Sequence, residues 1–220
     1  MKESAASSRE GAARWLAIHD ELLRGLAHAL SNRVATVAAA AYLIESQERP
    51  SAASAQLLRI EADQLEGILH LVRLLPRGND GDAEPVMAAD AARTAIELHG
   101  HHAVLHGIPC ELAKADDVQP AWGDHIALPQ AIAVGLGVAK RAAVDQRGVR
   151  IAVSSTDDVV RLAIECPFHP RGTVHGVDDA LDIEAINWLL AATGGDAVLT
   201  DGGCTIEVPS LSAARRLRDA

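Results

Sequence analysis

From Gly11 to Glu48 the sequence meets no proline, the first being Pro50. Within that run Leu16, Leu23, Leu26, Leu30, Arg33 or Val34, Val37, Ala41 and Ile44 follow alternating steps of three and four. That spacing is the seam of a coiled-coil-like helix. Gly25 is the one weak interior point, costing ~1 kcal/mol relative to alanine. After Arg49-Pro50-Ser51, where Ser51 can cap, a second helix is predicted to about Leu75, with Leu58, Leu65, Ile68, Val72 and Leu75 as its seam. Two antiparallel helices cannot bury two seams by themselves. A homodimer that builds a four-helix bundle is the simplest arrangement that does.

Residues 1–10 are small and polar and are expected to be a flexible N-terminus, which leaves 11–76 as the helical hairpin. Residues 77–84, within Pro76-Arg77-Gly78-Asn79-Asp80-Gly81-Asp82-Ala83-Glu84-Pro85, carry turn formers and charge without periodicity and read as a linker. Residues 85–220 then alternate element types. Helices are predicted over 87–106, 125–144 and 179–193, the second with Asp124 as N-cap and the third stopped by Gly194-Gly195. Strands are predicted over 108–113, 149–154 and 159–165, with a closing hairpin of 197–200 and 204–208. The expected fold is α+β: an N-terminal antiparallel helical hairpin followed by an α/β sandwich. Aromatic residues make up only 2% of a chain that is 49% hydrophobic, so its core has to come from Ala, Leu, Val and Ile.

A net charge of −10 argues against a nucleic-acid binder, since neutralising phosphates takes Lys and Arg. The three cysteines, Cys110, Cys166 and Cys204, have neither the number nor the spacing of a disulfide framework or a zinc site. No run approaches the ~20 apolar residues that span a bilayer, and the first residues lack an apolar signal core. The expectation is a cytoplasmic protein without a membrane partner.

Against the seam of the first helix, Arg24, His28 and Asn32 are spaced by four and form a polar stripe. A neutral imidazole is a good nucleophile near neutral pH, so His28 is a candidate phosphoryl acceptor. Arg24, one turn earlier, can offset phosphoryl charge, and Asn32 lies one turn later on the same stripe. His19-Asp20 is a poorer candidate, because His19 falls on the apolar register. His99, His101, His102 and His106 form a second cluster, in which His102 and His106 have the spacing of helical metal ligands. No carboxylate or cysteine completes a set, so no metal is assigned and a solvated or partner-facing surface is expected. Gly135 and Gly137 suit close helix packing better than a phosphate cradle.

The order of these parts resembles the catalytic core of sensor histidine kinases. His28-Ala29-Leu30-Ser31-Asn32-Arg33-Val34 is similar to the family's phosphoacceptor box, and 58–75 to its second hairpin helix. Glu84-Pro85-Val86, Gly107-Ile108 and the segment from Ala185 to Gly195 also fall where the family has counterparts. The resemblance implies that the second half is like the kinases' ATP-binding domain, and it also marks departures. Val134 and Val138 stand where the family has asparagines for Mg²⁺ and phosphate, and valine offers no oxygen ligand. Cys166-Pro167-Phe168-His169-Pro170-Arg171-Gly172 and Gly176-Val177-Asp178-Asp179-Ala180 replace the Asp and the glycine-rich turns that hold nucleotide. Ala29 replaces the carboxylate that takes the histidine's proton during autophosphorylation.

A phosphoacceptor helix without its kinase is the pattern of dimeric histidine phosphotransferases built like a degenerate kinase core. The resemblance therefore implies phosphoryl exchange between His28 and the aspartate of a response-regulator receiver domain, without ATP binding or autokinase activity. The chain needs no cofactor of its own, Mg²⁺ coming from the receiver alone. The implied partners are that receiver, an upstream histidine kinase or hybrid-kinase receiver, and a second copy of the chain, with the second domain as a docking surface. A pseudokinase scaffold or inhibitor without catalysis, and a receiver phosphatase using Asn32, are the alternatives.

Overall fold

The computed structural model describes residues 2–46, 52–75, 81–102, 104–113, 117–143, 148–167 and 176–219. Residues 77–80 of the predicted linker and the segment 168–172 lie outside them. Helix α1 (Lys2–Glu45) runs 44 residues and begins before the predicted start at Gly11, as nothing in the first residues breaks a helix. Helix α2 (Ala52–Leu74) folds back on it. The buried stripe of α1 is Gly11, Trp15, Leu22, Leu26 and Ala40. Leu16, Leu23 and Val34, three of the predicted seam residues, are exposed instead. At position 33 or 34 the structure selects Arg33, whose Nη1 donates to both carboxylate oxygens of Glu61 at 3.1 Å. Glu61 is buried on α2, so this ion pair ties the hairpin from inside.

The reason for the shifted stripe lies in the second half of the chain. Helix α5 (Val177–Leu190) packs along the first half of α1. A Cβ on Gly11 would lie 2.4 Å from the carbonyl oxygen of Glu184, so glycine is what allows the two backbones to approach. Trp15, one turn on, fills the contact and is 3% exposed. Of the predicted α1 seam, Leu26 is buried within one chain, while Leu16 and Leu23 stay exposed beside the stripe that α5 covers.

Beneath α1 and α5 lies a five-stranded mixed sheet. Its order is β2 (Cys110–Leu112), β4 (Val149–Ser155), β5 (Val159–Glu165), β7 (Gly203–Pro209), β6 (Asp196–Thr200), parallel only between β2 and β4. Ile151 pairs with Ile164 and Leu162 with Ile206, which puts the alternate apolar residues of three strands on one buried face. Helices α3 (Ala88–His99) and α4 (Ala127–Ala142) pack on the sheet, and α4 also packs on α5. A Cβ on Gly135 would meet Cys204 Sγ and Ile164 Cδ1 at 2.9 Å, so that side of α4 lies tight on the sheet. With sheet on one side and helices on the other, α4 is buried nearly all round, as its uniform apolar sequence requires. Asp124 caps it as expected, its Oδ1 accepting the amides of Ile126 and Ala127.

The α+β class and the predicted order of hairpin and sandwich hold. Three local expectations change. Helix α3 stops at His99 rather than His106, because Gly100 closes it and the chain turns through 104–107. The short strands β1 (Glu84–Val86) and β3 (Ala121–Gly123) form a separate antiparallel pair. A terminal helix α6 (Leu211–Asp219) adds Arg218 over the ring of Trp122. Strands of three residues carry too little periodicity to be read, and the polar composition of α6 hides it. All three cysteines are free.

Candidate functional site

His28 and Asn32 stand one above the other on α1, as a four-residue spacing dictates. Asn32 Nδ2 lies 3.2 Å from His28 Nε2. An amide nitrogen only donates, so Nε2 accepts, and in the neutral ring the hydrogen sits on Nδ1. The lone pair needed for attack is therefore on Nε2. His28, Asn32 and Arg24 are all exposed, and Ala29 between them is half-buried against the core. Asn32 itself is steadied by its own turn, its carbonyl oxygen accepting the Thr36 hydroxyl at 3.0 Å.

These three residues line one wall of a groove of about 440 Å³. The other wall is the segment that follows α3, with Gly100, His101, His102 and His106. The second histidine cluster therefore faces the first candidate site. Nothing in the spacing of His101 or His106 indicated this, because it depends on α3 ending early and on the chain turning back toward α1. A neighbouring groove of about 510 Å³, between the hairpin and Glu97, shares Ala29, Asn32 and His101.

Each histidine of the cluster has a distinct setting. His102 Nδ1 accepts the amides of Val104 and Leu105 at 3.2 Å, which leaves Nε2 to donate to Glu21 of α1 at 3.2 Å. His106 Nδ1 donates to the carbonyl oxygen of His102 at 3.0 Å. Both rings are thus engaged in holding the turn rather than a metal. Among the described residues no three His, Cys, Asp or Glu side chains come together as a metal site. Burial, and then the charge of Arg33, holds the pKa of His101 below the ordinary value. Burial also lowers that of His102, against the pull of Glu21. His99 is 1% exposed, stacks on His102, and has no hydrogen-bond partner among the described residues at either ring nitrogen. Burial, with Lys140 and His102 adding to it, drives its pKa well down. Lys140 Nζ, buried beneath, donates to Leu105 O at 3.0 Å and pins the turn.

The face of α4 that carries Val134 meets α1. Val134, Gly137 and Arg141 line a cavity of about 40 Å³ together with Ala17, Ile18 and Leu22 of α1. Arg14 Nε donates to Asp182 at 2.5 Å, and Arg141 pairs with Asp182 and with Asp179 at 2.8 Å. Asp182 is 1% exposed, so one buried carboxylate joins α1, α4 and α5. Val138 is 1% exposed as well. His19, the alternative histidine, lies 3.2 Å from Asp20 and edge-on to Trp15; it does not line the His28 groove.

No protein-family model matches the sequence, and no curated protein matches it either. Solved structures do match. Full-length ShkA in complex with AMPPNP aligns at 19% identity and a TM-score of 0.43, over 87% of this chain and 46% of that one, so the chain spans about half of ShkA. The Acinetobacter baumannii histidine kinase AdeS aligns at 16% identity and 0.43, over 86% and 97%. A structure described as a bacterial phosphotransferase aligns at 11% identity and 0.43, over 87% and 95%.

Proposed function

We propose that the chain is a cytoplasmic histidine phosphotransferase of a two-component phosphorelay, passing a phosphoryl group between His28 and the aspartate of a receiver domain. The observation that carries this reading is the exposed His28 with its Nε2 lone pair held by Asn32. In the transfer, Nε2 attacks the phosphorus of the receiver's aspartyl phosphate. The P–O bond breaks with its electron pair staying on the carboxylate, and a P–N bond forms. The ring keeps its Nδ1 proton and is cationic until it releases that proton to water; the return transfer uses the protonated ring as leaving group. Asn32 turns away as the phosphoryl group arrives, and Arg24 offsets its charge. The receiver supplies Mg²⁺, and an upstream kinase or hybrid-kinase receiver supplies the phosphoryl group.

Two observations support a chain that neither binds ATP nor phosphorylates itself. Val134 has no oxygen ligand and faces α1 across a space too small for a nucleotide. Ala29 gives His28 no neighbouring carboxylate as proton acceptor. Homodimerisation draws support from Leu16, Leu23 and Val34, which are 61%, 39% and 54% exposed. At 100° per residue they fall within ~20° of one another on α1, beside the buried stripe. A second reading, a receiver phosphatase, is favoured by Asn32 alone: its amide, already at the histidine, can orient a water on the receiver's phosphate.

Incubation with a phosphorylated receiver tests these readings. Acid-labile label should appear on the wild type and on Asn32→Ala but not on His28→Ala. Loss of receiver phosphate that needs Asn32 but not His28 would establish the phosphatase instead. A receiver left fully phosphorylated by the wild type would exclude both and leave a scaffold. Nucleotide binding by calorimetry would overturn the role given to Val134.

A further inference from the structure

We infer that the turn after α3 is the second wall of the phosphoryl site, with His101 and His106 holding the phosphoryl group on His28 while the chain waits between donor and acceptor. The inference rests on His28 being the phosphoacceptor and names what shelters its product.

Among the described residues, the groove that contains His28 is lined by α1 and by Gly100, His101, His102 and His106 of the turn after α3. A phosphoryl group on Nε2 enters this space, because Nε2 is the nitrogen that meets Asn32, and Asn32 and His101 both line this groove and the adjoining one. The turn is not a loose flap. Lys140 pins Leu105, His102 ties it to Glu21, and His106 bonds back to His102. Its histidines are not equivalent. His102 has both ring nitrogens committed, so it shapes the turn and has nothing left for a ligand. His106 has committed Nδ1 only, and the ring of His101 makes no hydrogen bond with the described residues, its backbone N–H alone donating, to Leu98 O.

A neutral imidazole always offers one N–H, so His101 can donate to a phosphoryl oxygen without a charge having to be buried first. His106, with Nδ1 occupied, can donate through Nε2 in its imidazolium form, in which both ring nitrogens are donors. His101 as a donor already in place, joined by His106 in its imidazolium form, shields the P–N bond from water. A phosphohistidine held in this way keeps its phosphoryl group long enough for a second receiver to arrive.

The full chain can be loaded with phosphoramidate, a small donor that requires no receiver, and followed by ³¹P NMR. Wild type, His101→Ala, His106→Ala and His101→Gln should all load at His28, with His28→Ala as the control that does not. The phosphohistidine should decay about tenfold faster at pH 7 in His101→Ala or His106→Ala, the scale of one hydrogen bond to a charged group. Its ³¹P resonance should shift in both, and His101→Gln, which keeps an N–H donor, should restore the lifetime to within about twofold. Unchanged lifetimes and resonances with His28 loaded would overturn the inference and leave the phosphoacceptor reading standing. Absence of label on His28 in the wild type would remove both. Unfolding monitored by circular dichroism separates lost donors from a lost fold, and the two alanine variants report independently.

Discussion

Along α1, the stretch from Gly11 to Leu26 buries one face within its own chain, with Trp15, Leu22 and Leu26 each at 3% exposure or less. The stretch from Val34 to Ile44 buries only Ala40 and leaves Val34, Tyr42 and Leu43 more than half exposed. Hydrophobicity does not explain this, since the later stretch is the more apolar, with Thr36 its one polar residue, while the earlier one carries Arg14, His19, Asp20, Glu21 and Arg24. The two stretches differ in shape and in what lies opposite. Gly11 admits the backbone of α5, and Arg14 finds the buried Asp182. The later stretch has α2 as its intramolecular partner and the Arg33–Glu61 pair as its polar tie. His28 stands between them, on the half-turn where α1 passes from packing on the second domain to packing in the hairpin. One helix thus joins the two parts of the molecule and carries the candidate nucleophile at the junction.

The comparison can be broken most severely at Trp15. Trp15→Ala should cost about 3–5 kcal/mol, the usual range for a buried tryptophan, and lower the melting temperature by roughly 10 °C; an exposed-site cost near zero would show that the first half of α1 is not docked. Asp182→Asn comes next. It removes the charge that joins Arg14 and Arg141, both of which can partly rehydrate, so about 2–3 kcal/mol is expected in urea unfolding. The loss should be greater than for Glu61→Gln if the first half is the more tightly held.

The opposite half is tested by adding charge rather than removing contacts. Leu23→Glu with Val34→Glu should leave the protomer's stability within about 0.5 kcal/mol per site while converting dimers to monomers in sedimentation equilibrium. A dimer that survives both changes would place its interface elsewhere. The smallest effect concerns His99. Its folded pKa lies below the ordinary 6.5, so the unfolded chain binds more protons, and stability is present in full above 6.5 and falls as pH drops below it. His99→Leu replaces two unpartnered ring nitrogens with apolar atoms. It should be within about 1 kcal/mol of wild type at pH 8 and should flatten the decline toward pH 5, which denaturation at the two pH values would reveal. His101 and His102, also shifted downward, contribute to the decline in the same direction.

Much of this molecule is legible one stretch at a time. The paired seams, the proline break and the glycine stops locate α1, α2, α4 and the central strands, because periodicity and turn chemistry act over neighbouring residues. The spacing of His28 and Asn32 is of the same kind: four residues on any helix bring two side chains together, and the 3.2 Å contact follows. The choice between Arg33 and Val34 was open in the sequence, since either keeps the three-four rhythm. It was settled by Glu61 across the hairpin.

What only the tertiary structure decided is which side of α1 turns inward and what faces His28. A helix with apolar residues at Trp15 and Leu16, and again at Leu22 and Leu23, has two adjacent stripes of similar hydrophobicity. The sequence determined that both exist. The stripe that is buried is the one whose Gly11 lets another backbone come within contact, and that backbone arrives more than 160 residues later in the chain. The meeting of His101 and His106 with His28 has the same origin, since it follows from where α3 stops and how α1 docks. Local patterns assign residues to helices, but the energies of close packing and of buried ion pairs decide which faces meet.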